Sequence, residues 1–157
     1  MHLLHMTKIT VRILSLLTVI FLYGCPAVTP SNSADPSTKT LEGKWFGEDF
    51  QPVINSNAKW LMSRKTDGTF HITFARYDAK QKLISKQTEE GTWSYRAYLY
   101  ATVTTRIDGE LVDANSSDYQ DLYEIDDFNQ SGMKYRHLKS GQLFQSKRVP
   151  DDFKLPE

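Results

Sequence analysis

The chain has one cysteine in 157 residues, Cys25, so no disulfide within the chain is possible. Histidine is scarce, with four residues, two of them (His2 and His5) inside the first 24. A zinc site built on histidine and cysteine therefore has almost nothing to work with beyond His71 and His137. No Gly-x-Ser-x-Gly motif occurs, which removes the commonest sequence mark of a serine hydrolase. Charge of one sign is missing as well: 19 Lys plus Arg balance 19 Asp plus Glu, and no basic block stands out. Nucleic-acid binding has no electrostatic footprint here. Finally, no segment carries a sustained helical period, and no apolar run reaches the roughly 20 residues of a membrane-spanning helix.

What is present begins with a targeting pattern. Lys8 and Arg12 precede an almost wholly apolar run from Ile13 to Tyr23, which has the length of a signal-peptide core. A start at Met6 leaves the same pattern intact. The run ends Leu22-Tyr23-Gly24-Cys25, which resembles the lipobox of bacterial lipoproteins. That resemblance implies cleavage after residue 24, a diacylglyceryl thioether on Cys25, and an acyl chain such as palmitate on its amine. Each buried methylene of such chains contributes about 0.8 kcal/mol to membrane attachment. Residue 26 is Pro rather than Asp, which by the enterobacterial sorting rule leans to the outer membrane, facing the periplasm. Loss of residues 1–24 removes Lys8 and Arg12 and no acid, leaving 17 basic against 19 acidic residues.

Residues 25–40 are rich in Pro, Ser, Thr and Asn without an apolar period and read as a lipidated cysteine on a flexible tether. A single domain is expected over 41–149, and the proline-flanked tail 150–157 is expected on its surface. Within the domain the apolar pattern has period two, the mark of half-buried strands. Phe70, Ile72 and Phe74 alternate with Thr69, His71 and Thr73. In 98–107, Leu99, Ala101, Val103, Thr105 and Ile107 share one face; Tyr98, Tyr100, Thr102 and Thr104 share the other. Asp67-Gly68 and Asp108-Gly109 sit between such runs and suit two-residue hairpin turns. Further strands are expected at 43–50, 82–88, 91–95, 119–126, 132–138 and 142–148, with room for a helical turn in 51–57 or 113–118. About eight short antiparallel strands give an all-β, up-and-down meander that closes into a small barrel, with a two-sheet sandwich as the alternative.

A tetrapeptide recurs: Glu42-Gly43-Lys44-Trp45 and Glu90-Gly91-Thr92-Trp93. The segments diverge on either side, so no duplication is inferred. Gly43-x-Trp45, then an aromatic-rich strand beginning at Asp67-Gly68-Thr69-Phe70, then Gly91-Thr92-Trp93, resembles the lipocalin-like domains of small bacterial lipoproteins, which are calycin-type barrels. The resemblance covers about residues 41–148. It implies that a basic residue near the last strand packs over the first-strand tryptophan, here Arg148, with Lys147 as its competitor. It implies a fold more than an activity.

Two candidate sites follow from the residues. Asp113, Asn115, Ser117, Asp121 and Glu124 fall at ligand positions of an EF-hand-like loop, although Asp118 stands where glycine is needed. They are a calcium candidate (Asp113, Asn115, Asp121 and Glu124) or simply an acidic, solvated loop. With the Leu99 face in the core, Tyr98 and Tyr100 form an exposed stripe suited to recognition or to cross-strand pairing. The expected function is a non-catalytic binding module without cofactor. An envelope protein partner is favoured over a small apolar ligand, because the many large residues suggest a filled barrel. The alternative is a metal-dependent protein or enzyme using 113–124. Ligand binding calls for an apolar cavity of roughly 300 Å³ or more.

Overall fold

The computed structural model describes residues 37–156. The proposed signal segment, Cys25 and most of the tether lie outside the described residues. Ser37 caps a helical turn, α1 (Thr38–Leu41), by accepting from the Thr40 N–H. Nine strands follow: β1 (Gly43–Gln51), β2 (Ser56–Arg64), β3 (Thr69–Tyr77), β4 (Leu83–Arg96), β5 (Leu99–Ile107), β6 (Glu110–Leu111), β7 (Gln120–Phe128), β8 (Gly132–His137) and β9 (Leu143–Val149). Short 3-10 turns occupy Pro52–Ile54 and Ser117–Tyr119.

Every pairing is antiparallel. Eight strands close a ring in the order β1-β2-β3-β4-β5-β7-β8-β9, with β9 returning to β1 through Lys44↔Val149 to Gly47↔Ser146. The two-residue β6 hangs from β5. Closure removes the unpaired edges that an open meander of this length exposes. The fold is thus the expected all-β closed barrel, not a sandwich.

Three local expectations are corrected. The segments 82–88 and 91–95 form one 14-residue strand, β4, because a register shift beside Gly91 absorbs the irregularity without ending the strand. Asp108-Gly109 is a two-residue hairpin with φ of 48° and 88°, but Asp67-Gly68 sits in a four-residue loop where only Gly68 has positive φ. There Asp67 Oδ1 accepts from the Thr69 N–H and hydroxyl at 2.9 and 2.6 Å, an Asx-type turn. A third tight hairpin joins β4 to β5 at Ala97-Tyr98, both with positive φ and neither glycine.

The barrel has a plugged end and an open end. Strand direction puts α1 and Arg148 at the plugged end, and the loops 52–55, 78–82, 112–119 and 138–142 at the other. Leu41 and Trp45 are fully buried at the plugged end, and Trp45 Nε1 donates to the Leu41 carbonyl at 2.9 Å. The Arg148 guanidinium carbon lies 4.4 Å from the Trp45 ring centre. Lys147 is on the outer side instead, 5.2 Å from Phe46. The tail lies along the outer face of β1–β3: Phe153 packs on Phe46 at 5.3 Å, and the Tyr77 hydroxyl donates to the Pro156 carbonyl at 2.5 Å. This is why Phe46, Ala75 and Tyr77 are buried although they point away from the barrel axis.

Candidate functional site

Period two puts alternate residues of each strand inside the barrel. On β2 these are Trp60, Met62 and Arg64, and on β3 Phe70, Ile72 and Phe74. On β5 they are Tyr100, Thr102 and Thr104. The last set overturns the expected register. Tyr100 is 2% exposed, Thr102 and Thr104 are buried, and Leu99 is 42% exposed. The aliphatic face of β5 is outside and its tyrosine–threonine face inside, because the interior is a part-polar cavity and not a dry core. Tyr98, in the turn, is 43% exposed, so the two-tyrosine surface stripe does not exist.

The cavity measures about 180 Å³, smaller than the roughly 300 Å³ typical of drug-sized ligands. Its walls are rings in mutual contact. Tyr100 stacks on Tyr123 at 5.4 Å, Tyr135 stacks on Phe144 at 5.5 Å, and Trp60 meets Phe144 edge-on at 5.7 Å. Such geometry adds to what area burial alone provides. Ser146, 2% exposed, anchors two of the rings, accepting from Trp60 Nε1 and bonded to the Tyr135 hydroxyl, both at 3.2 Å. Burial pushes the Tyr123, Tyr100 and Tyr135 phenols up from their ordinary value, so all three are neutral donors near neutral pH.

Three charged side chains also line the cavity: Glu89, Asp121 and Arg64. Glu89 is held by the Thr104 hydroxyl at 3.1 Å and the Gln87 amide at 3.0 Å. Asp121 pairs with His137 Nε2 at 3.1 Å, and His137 Nδ1 is 2.8 Å from the Ser140 hydroxyl. Arg64 is 3% exposed, with its guanidinium carbon 4.4 Å from the Tyr100 ring centre and 6.0 Å from that of Trp93. Its Nε and Nη1 are buried without a hydrogen-bond partner, as is the Tyr100 hydroxyl.

The acidic loop separates on folding. Asp113 Oδ1 accepts from the Asn115 N–H at 3.0 Å in a local turn, Asp121 turns into the barrel, and Glu124 is exposed outside. Among the described residues no group of three or more His, Cys, Asp or Glu is placed to hold a metal ion. The four calcium candidates therefore do not converge: alternation along β7 sends Asp121 and Glu124 to opposite faces. His71 is half-buried in a groove of about 540 Å³ on the outer face, between the tail and β2–β3.

Sequence reasoning missed Arg64, Glu89, Thr104 and the Ser140–His137–Asp121 array. Only Arg64 carried a signal: it is the one charged position in phase with Trp60 and Met62.

No family model matches the chain, and no curated protein matches it. Among solved structures it is similar to a biogenic amine-binding protein, solved as a selenomethionine derivative. That match has 14% identity and a TM-score of 0.40 over 72% of this chain and 65% of that one. It is also similar to a de novo designed fluorescence-activating β-barrel, with 14% identity and a TM-score of 0.36 over 69% of this chain and 92% of that one. Neither likeness says anything about this chain's ligand.

Proposed function

We propose that this chain is a non-catalytic binding barrel that holds one small molecule, tethered to a bacterial envelope by a lipid on Cys25. The observation that carries the ligand half is the ring-walled cavity with Arg64, Glu89 and Asp121 facing into it. Ligand pockets combine an apolar lining with a few placed polar groups, and a barrel of eight strands is wide enough for one small ligand. At about 180 Å³ the cavity falls short of the roughly 300 Å³ expected and restricts the ligand to one smaller than drug-sized. The expectation of a protein partner rests on a barrel filled by its own large residues, with no room for a ligand. A cavity of about 180 Å³ weakens that ground, and with Tyr100 inside it the tyrosine stripe is gone as well. The anchor half rests on Leu22 to Cys25, and Pro26 favours the outer membrane.

Indole, small, flat and neutral, is a fitting probe. Calorimetry on the full chain in detergent is expected to show saturable binding. The plugging variant Thr102→Phe, checked for folding by circular dichroism, is expected to lose it. Binding of neither indole nor L-phenylalanine, or equal binding to the plugged barrel, refutes the ligand reading. Mass spectrometry of Cys25 tests the anchor: an unmodified thiol in membranes of the producing cell refutes it.

One observation favours a second reading, a hydrolase. The Ser140 hydroxyl, His137 and Asp121 form a relay at 2.8 and 3.1 Å beside the cavity. The binding-barrel reading is preferred because the contact is local. His137 N–H donates to the Gln142 carbonyl and Gln142 N–H to Ser140 Oγ, so the serine closes its own turn. Turnover of activated esters that disappears in Ser140→Ala would reverse that preference.

A further inference from the structure

Resting on the ligand reading above, we propose that the cavity's occupant is a small zwitterion with a flat apolar body, of the kind an aromatic α-amino acid exemplifies. Its acidic group is read by Arg64 and the Tyr100 hydroxyl, and its ammonium by Glu89 and Asp121.

The first half of the argument is an unmet demand. A buried cation without an acceptor is strongly disfavoured, and native structures supply it a partner. Arg64 lines the cavity, is 3% exposed, and has Nε and Nη1 without one. The Tyr100 hydroxyl, on the ring that Arg64 packs against, is also unpartnered. Nε–H and Nη1 lie on different edges of the guanidinium, so one of them beside the phenol offers two donors, a match for the two oxygens of a carboxylate.

The second half is charge. Glu89 and Asp121 face the same space as Arg64. A bare anion would put three negative groups against one arginine, and a bare amine would leave Arg64 unmet. A molecule carrying both signs meets Arg64 and sets a cation beside Glu89 and Asp121, whose present partners are Thr104, Gln87 and His137. Strand direction separates the two ends: Arg64 is the last residue of β2, at the plugged end, whereas Asp121 opens β7 and Glu89 lies mid-β4, both nearer the open end. The carboxylate then points down and the ammonium toward the mouth, with the ring walls on the body between them. The volume of about 180 Å³ holds the ligand to roughly one ring and a short side arm.

The test is a matched series titrated into the full chain in detergent by calorimetry: L-phenylalanine, phenethylamine (no carboxylate) and hydrocinnamate (no amine), with indole as the neutral control. L-Phenylalanine is expected to bind about tenfold or more tighter than either partial analogue, the usual worth of a charge-assisted hydrogen bond. Arg64→Met is expected to lower affinity for L-phenylalanine and hydrocinnamate by about tenfold to a hundredfold while leaving phenethylamine unchanged. Glu89→Gln is expected to weaken phenethylamine and L-phenylalanine but not hydrocinnamate. Either analogue binding as well as the zwitterion, or Arg64→Met leaving all three alike, overturns the proposal. So does binding of indole but of none of the three, and in that case the ligand reading survives. Failure of indole as well removes both. Arg64→Lys, which keeps the charge but not the planar fork, guards against a folding defect in Arg64→Met and is expected to lose affinity in the same order.

Discussion

Arg148 ties the barrel's last strand to its plug through Trp45. Beyond the 4.4 Å stacking, its Nη1 donates to the Glu42 carbonyl at 2.7 Å, its Nη2 to the Thr40 carbonyl, and its Nε to the Gln130 carbonyl at 3.2 Å. One side chain thus satisfies carbonyls from α1 and from the β7–β8 turn while covering the largest fully buried side chain of the barrel. Arg148→Met keeps the stem and loses the fork. It is expected to destabilise by about 1–2 kcal/mol in urea titration, given the partial exposure of the group. An unchanged midpoint would mean that the plug stands without the arginine.

The two Gly-x-Trp segments obey different constraints, and mutation separates them. Gly43 has φ of +96°, so alanine there is strained by the backbone itself, at about 1–2 kcal/mol. Gly91 has no such φ, but a Cβ on it would stand 2.0 Å from the Val103 carbonyl oxygen across the β4–β5 pair. Backbone cannot yield as a side chain does. Gly91→Ala is therefore expected to cost more, about 3 kcal/mol, and to raise hydrogen exchange along β5 specifically. Equal losses and equal exchange patterns in the two variants would contradict this account.

The recurrence is legible in sequence as two glycine–ring pairs on strands, but only Gly43 opens a strand, whereas Gly91 lies inside β4. The barrel is legible because period two and turn residues are local signals, and closure follows from strand number. Burial at one strand is not. In 98–107 both faces carry residues fit for a core, and the more aliphatic one reads as inward. Local pattern cannot tell a dry interior from one lined by Tyr100, Thr102 and Thr104. The Ala97-Tyr98 hairpin gives no sequence signal because neither residue is Gly, Asn or Asp, the usual tenants of positive φ. The cavity charges are hidden further still, since Arg64, Glu89 and Asp121 come together only once β2, β4 and β7 share a barrel.

Arg64 gives a prediction about stability that runs opposite to the one about binding. With no ligand, a buried guanidinium without an acceptor is a burden, and an apolar chain of similar length removes it. Arg64→Met is expected to leave the ligand-free barrel equally stable or stabilise it by about 1–3 kcal/mol, read as an upward shift in the thermal midpoint. Loss of stability in ligand-free protein would mean that the ring contacts of Arg64 outweigh its desolvation. The same measurement on Tyr100→Phe, which removes only an unpartnered hydroxyl, is expected to show little change.

The tyrosine lining sets the alkaline limit of the fold. Burial is the main reason that the Tyr100, Tyr123 and Tyr135 phenols are raised from an ordinary value of 10.0. Neighbouring Asp121 adds to the effect at Tyr123 and Tyr100, whereas Arg64 opposes it at Tyr100 and Tyr135. The neutral, protonated phenol is the form the barrel accommodates. Well below the ordinary value, folded and unfolded chains hold these protons equally, and their titration leaves stability unchanged. Above it the unfolded chain releases protons that the folded chain keeps, so stability falls as pH rises. In an ultraviolet titration of phenolate absorbance, the three cavity tyrosines are expected to ionise only in a step that coincides with loss of circular dichroism. Tyr123→Phe is expected to move that step to higher pH. Smooth ionisation of every tyrosine with the fold intact would show that the cavity admits water freely at these rings.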